Sequence, residues 1–170
     1  MNLLCSYLAL LCALASLVRA AEPILQIAVL EKAFTLTADE FAALPHTELK
    51  TLEPHEKKER TYSGVALRDL LMKVGMPVGE AFRGPALQLG VIVRSKDNYA
   101  VLFSLAEFDE NFSARTILLC DREDGQPTPP NAAPLRLVAP GDKRGARWSR
   151  QVASIEIVSV GEVAARPLKK

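Results

Sequence analysis

The sequence predicts a single compact α+β domain with mixed sheets and short helices, on three observations. Short apolar, strand-like runs recur along the chain, often separated by no more than a turn. Two Ser/Thr-x-x-Glu capping boxes mark the start of brief helices. Only one stretch, 67–74, repeats its apolar residues with helical period. Strands that outnumber helices and follow one another through turns favour a mixed or mainly antiparallel sheet system.

Residues 3–18 carry no charge and lead into Arg19 and Ala20, with Val18 and Ala20 as the small residues of a processing site. Residues 1–20 therefore read as a secretory signal cleaved after Ala20, which leaves 21–170 as the mature, periplasmic domain. Only the α-amino group charges the start of this segment. An uncleaved membrane anchor is thus the alternative, although the run is slightly short for a span. Cys5 and Cys12 fall inside it, and Leu11 is too bulky for lipoprotein processing at Cys12. The mature chain keeps a single cysteine, Cys120, so no internal disulfide forms, and a structural zinc site lacks its ligands.

The first strand is expected over 24–30, and 34–36 lead into Thr37 and Glu40, a capping box for a helix that stops at Pro45. A strand is expected over 47–52. Residues 54–60, of mixed charge, read as a solvated loop or edge. After Gly64, Leu67, Leu70, Leu71 and Val74 line one face of a helix that Gly75 ends. Two strands, 86–93 and 99–103, meet through the polar turn 94–98, and Ser104 with Glu107 caps a second short helix. Residues 115–121 form the next strand, on which Cys120 acts as a small hydrophobe. A turn at 123–125 precedes the proline-rich stretch 126–134, read as an extended connector, and strands over 135–139 and 152–160 close the domain.

With 21 basic and 20 acidic residues the chain has no net field to recruit nucleic acid or an anionic membrane, so any anion must be bound locally. The place for that is 143–150, where Lys143, Arg144, Arg147 and Arg150 surround Trp148. Guanidinium forks bind phosphate or carboxylate in two-point contact and an indole offers a face for a ring ligand. The alternative is a solvated basic turn whose Trp148 plugs the core. His46 and His55, near Glu48, Glu53 and Glu56, have no diagnostic metal spacing, and Ser104, Ser149 and Ser154 lack a nucleophile-elbow context.

The order of elements, with Gly64, the Leu67-x-x-Leu70-Leu71 helix, Asn98-Tyr99, Pro134-x-Arg136 and Arg144-x-x-Arg147-Trp148, resembles the molybdopterin-binding domain of the sulfite oxidase superfamily over 34–160. The resemblance implies a sulfite-oxidase-like fold and a pterin site in which Arg136, Arg144 and Arg147 hold the ligand, their charge directed at a phosphate tail, and Trp148 ends the loop. Asn131 stands where molybdenum enzymes of the family often have a histidine. Trp148 and Tyr99 are candidates for stacking, and Asp97, Glu53 or backbone carbonyls for the amino edge of a pterin.

The family's enzymes ligate molybdenum through a cysteine before the Gly64-type glycine, and 47–63 contain none. The expectation is therefore a pterin without molybdenum, no catalytic residue and no metal ligand. Small periplasmic members of the superfamily bind a pterin and report it to a membrane signalling protein that controls cyclic-di-GMP. The function implied is that of a secreted pterin sensor with such a partner. The alternatives are a molybdenum-cofactor oxidoreductase with atypical ligation and a structural adaptor with an empty relic pocket.

Overall fold

The computed structural model describes residues 21–29 and 32–159. Residues 1–20, read from the sequence as a secretory signal, and Leu30 and Val160, read as strand ends, lie outside the described residues. Ten strands, Pro23–Val29 (β1), Lys32–Thr37 (β2), Thr47–Leu52 (β3), Glu59–Ala66 (β4), Leu89–Ser95 (β5), Ala100–Ser104 (β6), Leu118–Glu123 (β7), Gln126–Pro127 (β8), Arg136–Val138 (β9) and Val152–Ser159 (β10), build two sheets among the described residues. One has the order β2-β1-β10-β5-β6; the other runs β3-β4-β7-β8, with β9 on β7. Only β1 and β10 pair in parallel, and every other pairing is antiparallel. The α+β class with mixed sheets and few helices is therefore observed.

One core serves both sheets. Leu25 and Ile27 of β1, Val91 and Val93 of β5, Phe103 of β6 and Ile155 of β10 join Tyr62 and Val65 of β4, Leu118 and Leu119 of β7 and Leu137 of β9 in one buried cluster. Helix Ala38–Ala42 (α1) starts at the Thr37–Glu40 capping box, in which each side chain holds the other's backbone N–H. Helix Leu67–Lys73 (α2) buries Leu67, Leu70 and Leu71, and Gly75 ends it at φ +93°. The Ser104–Glu107 capping box opens a 3₁₀ turn, Leu105–Phe108.

Four expectations need correction. Strand β4 occupies residues read as a loop running into a helix: its charged start hides a strand that pairs with β3 on one side and β7 on the other. Gly64, expected only to precede a helix, lies within β4 at a register shift, where a Cβ would meet Leu119 O at 2.2 Å and Cys120 Cα at 2.5 Å. Residues 86–88 belong to a 3₁₀ helix, Gly84–Gln88, started by Pro85, so β5 begins only at Leu89. The strand expected over 115–121 begins at Leu118 and runs on to Glu123, and the connector after it opens with the short β8 and then turns.

Candidate functional site

Three connections meet over the end of β9. The β5–β6 hairpin tip is tight: Asn98 takes a left-handed conformation (φ +68°), Asn98 N–H donates to Ser95 O, and Ser95 N–H donates to Tyr99 O at 2.8 Å. The tip is tied to the segment before β10 by Lys96 N–H donating to Gln151 O at 3.0 Å. Opposite lies the β3–β4 turn, where the buried Glu53 carboxylate accepts the backbone N–H of His55 (2.7 Å) and Glu56 (2.6 Å). Between them runs the 3₁₀ turn Gly145–Arg147. Gly145 leaves room for the His55 ring, because a Cβ there would stand 2.5 Å from His55 Nε2.

These connections enclose an open cavity of about 540 Å³, lined by His55, Ser95, Asp97, Tyr99, Asn131, Arg136, Gly145, Ala146, Trp148, Ser149, Arg150 and Gln151. A recess of about 350 Å³ adjoins it and shares Asn131, Arg136 and Arg150. Tyr99, about half exposed, is held upright by its hydroxyl, which donates to Ala146 O at 2.6 Å. Asp97 Oδ1 accepts the N–H of Tyr99. Ser95 Oγ and Ser149 Oγ are buried and have no hydrogen-bond partner within the chain. Buried hydroxyls without partners are uncommon in folded proteins, and here two belong to residues of one cavity wall, with their oxygens shut off from the cavity itself.

Arg136 forms the floor and is buried. Its Nη2 donates to Glu53 Oε1 and its Nη1 to Glu123 Oε2, each at 3.1 Å, and its guanidinium lies 5.5 Å from the Tyr62 ring and 5.7 Å from that of Trp148. Burial pushes the Glu53 carboxyl up, but the two backbone donors and the Arg136 charge more than reverse this and leave it below the usual carboxylate range. Burial likewise pushes the Tyr62 phenol well up, so its hydroxyl stays neutral. Trp148 is buried against Tyr62 in an edge-on contact and its indole N–H donates to Ala139 O at 2.8 Å. It serves the core and gives the cavity only an edge of its wall.

The other two arginines of the motif lie elsewhere. Arg147 points away from the cavity, its Nε donating to Asp142 Oδ2 at 2.8 Å, its Nη1 to Glu107 at 3.2 Å, and its guanidinium 4.4 Å over the Phe103 ring. Arg115 joins the same carboxylates, so two guanidiniums and two carboxylates pin the turn before Trp148 to the Glu107 segment. Burial opposes ionisation of Asp142, but Arg147 and Arg115 outweigh it and hold its carboxyl low. Arg144 is exposed and lines neither cavity nor recess.

Of the six residues expected to bind a cofactor, Arg136, Trp148, Asn131 and Tyr99 share the cavity, whereas Arg144 and Arg147 do not. Asp97 lines it too, and Glu53 reaches it only through Arg136. Arg150, one of the four cations of the basic loop, lines the cavity, whereas His55, Ser95 and Ser149 were not expected there. Ser149 follows Trp148 directly, and that adjacency was a usable signal; His55 and Ser95 carry no local one.

The fold defined by these two sheets is shared, distantly, with a solved dehydrogenase. One solved structure that shares it is the sulfane dehydrogenase SoxCD from Paracoccus pantotrophus, at 19% identity and a TM-score of 0.59 over 80% of this chain and 38% of that one. The chain thus spans well under half the length of that relative. No protein-family model matches the chain, and no curated protein matches it.

A molybdenum cofactor anchored by a thiolate does not fit the donors present. Among the described residues no three His, Cys, Asp or Glu side chains group as metal ligands. Cys120 is buried in β7 behind Gly64, and burial pushes its thiol far above the usual range, the opposite of what thiolate ligation needs.

Proposed function

We propose that this chain is a non-catalytic binding protein for a pterin-like heterocycle, taken without molybdenum, and that it signals occupancy to a protein partner. The observation that carries this reading is the cavity between the β5–β6 tip and the Gly145 turn, with an immobilised aromatic ring on its rim and polar side chains around it. Tyr99 supplies a flat face whose orientation is already fixed, which lowers the ordering cost of stacking. Asp97 offers a carboxylate oxygen for the amino edge of the ring, and Asn131 offers both donor and acceptor. Nothing lining the cavity is an activated nucleophile, since neither serine has a base as partner.

The family resemblance adds the rest of the reading: secretion to the periplasm and a membrane signalling partner that controls cyclic-di-GMP. No described helix is long and apolar enough to cross a membrane.

Calorimetric titration of the full chain with oxidised and reduced pterins tests the ligand. Saturable one-to-one binding is expected, weakened in Gly145→Ala, whose Cβ displaces the His55 ring from the cavity wall. Because His55 is exposed and free to yield, that variant should lose less than about 1 kcal/mol of stability. Absence of binding, or stoichiometric molybdenum in the purified protein, overturns the reading.

A further inference from the structure

We propose that the free edge of β2 docks an extended segment of a partner protein, which adds a strand to the sheet and sets apolar side chains, with an acidic one beside them, into the groove between β2 and α2. Docking there is separate from the cavity and needs no pterin.

β2 ends its five-stranded sheet: β1 pairs with it on one side, and among the described residues no strand pairs with it on the other. In an antiparallel pair each strand turns the N–H and C=O of alternate residues toward its neighbour, so β2 leaves the other set directed outward. Edge strands are normally blunted by charge or proline, and residues 33–37 contain neither. The first four residues of β2 are exposed, Phe34 among them at 37%. An uncharged, exposed edge of this kind is a template for another strand.

Beside this edge lies a groove lined by Phe34 and Leu36 of β2, Leu44 after α1, and Leu70, Lys73 and Val74 at α2. Its volume of about 250 Å³ is below the roughly 300–1,000 Å³ of small-molecule sites, so it suits the side chains of a segment rather than a whole ligand. Phe34 and Leu36 are two apart, and a strand laid alongside them would likewise send every second side chain into the groove. Main-chain bonds to the edge then give affinity, and the groove gives specificity. An acyl chain would fill the apolar space but leave the outward backbone groups of β2 covered and unpaired, which favours a peptide. Charge sets the remaining feature of the partner. Lys73 is the one charged residue lining the groove, is exposed, and has no carboxylate partner among the described residues. A carboxylate on the incoming segment complements it, and a further cation does not.

A display library of random linear peptides, panned on the full chain and on its Lys73→Glu variant, tests the site. The full chain should enrich peptides with apolar residues at alternate positions and an acidic residue near them. Lys73→Glu, which reverses an exposed charge, should shift the enrichment toward basic residues. A synthetic peptide of the enriched sequence should slow hydrogen exchange of the 33–37 amides and bind Phe34→Glu on the order of tenfold more weakly. Titration with pterins should give the same result in the full chain and both variants, so failure of either reading leaves the other standing. No enrichment, enrichment indifferent to Lys73→Glu, or peptide binding that leaves the 33–37 amides unprotected overturns the site. Saturable binding of laurate with no enriched peptide would assign the groove to an acyl chain and overturn it as well. So would a dimer in solution that Phe34→Glu dissociates, since the edge would then belong to a second copy of the chain.

Discussion

At the scale of single residues, Arg136 and Arg147, expected to share one ligand, serve two structural tasks. Arg136 is buried between Glu53 and Glu123, so removing its charge leaves two carboxylates out of water without a partner. Arg136→Ala should therefore cost about 3–5 kcal/mol, read as a lowered denaturant midpoint with the m-value retained. A loss below about 1 kcal/mol would mean that the buried pairs do not form as described. Arg147 is about a third exposed and shares its two carboxylates with Arg115. Arg147→Ala should cost roughly 1 kcal/mol and leave pterin affinity within about twofold, because the side chain lies outside the cavity; a tenfold loss of affinity would place it in the site after all. The sequence marked Arg147 as a cation next to a tryptophan and Arg136 only through the resemblance of Pro134-x-Arg136. It did not show that Arg136 meets carboxylates 83 and 13 positions away, since such pairings are set by β4 and β7 coming together.

At the scale of elements, local chemistry was legible and long-range pairing was not. Both capping boxes formed where their spacing placed them, because each is closed by hydrogen bonds within four residues. The turn before β8 was equally legible: Asp124 and Gly125 both take positive φ, as a tight hairpin demands. Strand β4 was not, because its identity comes from two neighbours and its first residues are charged. The cavity was legible only in part for the same reason, as His55 and Ser95 reach it from separate connections. Gly64 is the most exacting position in β4. A methyl group there would lie against backbone atoms of β7, which move only if the two strands part. Gly64→Ala should thus cost about 3 kcal/mol or more, whereas Gly90→Ala, whose nearest neighbour is the exposed Leu102 side chain, should cost distinctly less. Thermal melts of the two variants check the order, and equal losses would argue against the close approach of β4 and β7.

At the scale of the whole molecule, several connections are held by carboxylates that the fold keeps ionised, and this sets how stability depends on pH. Burial raises the Glu53 carboxyl, but the His55 and Glu56 N–H groups and Arg136 bring it below its usual range. Asp142 behaves alike, with Arg147 and Arg115 outweighing burial. For Asp109 the leading influence is the Asn111 N–H, opposed by burial and helped by the Gly79 N–H. Each group has a lower pKa folded than unfolded, so in acid the unfolded chain binds more protons than the folded one. Their contribution is complete above the ordinary carboxylate range and drains away as pH falls through the folded values. The denaturant midpoint should accordingly be nearly constant from about pH 7 to 5 and drop steeply below about pH 4. Asp142→Asn should flatten part of that drop while lowering the midpoint at neutral pH, because it removes the charge that Arg115 and Arg147 share. A midpoint that stays level to about pH 3, or that rises on acidification, would show that these carboxylates gain nothing from the fold. The buried Arg136 network would then have to be held by packing against Tyr62 and Trp148 alone.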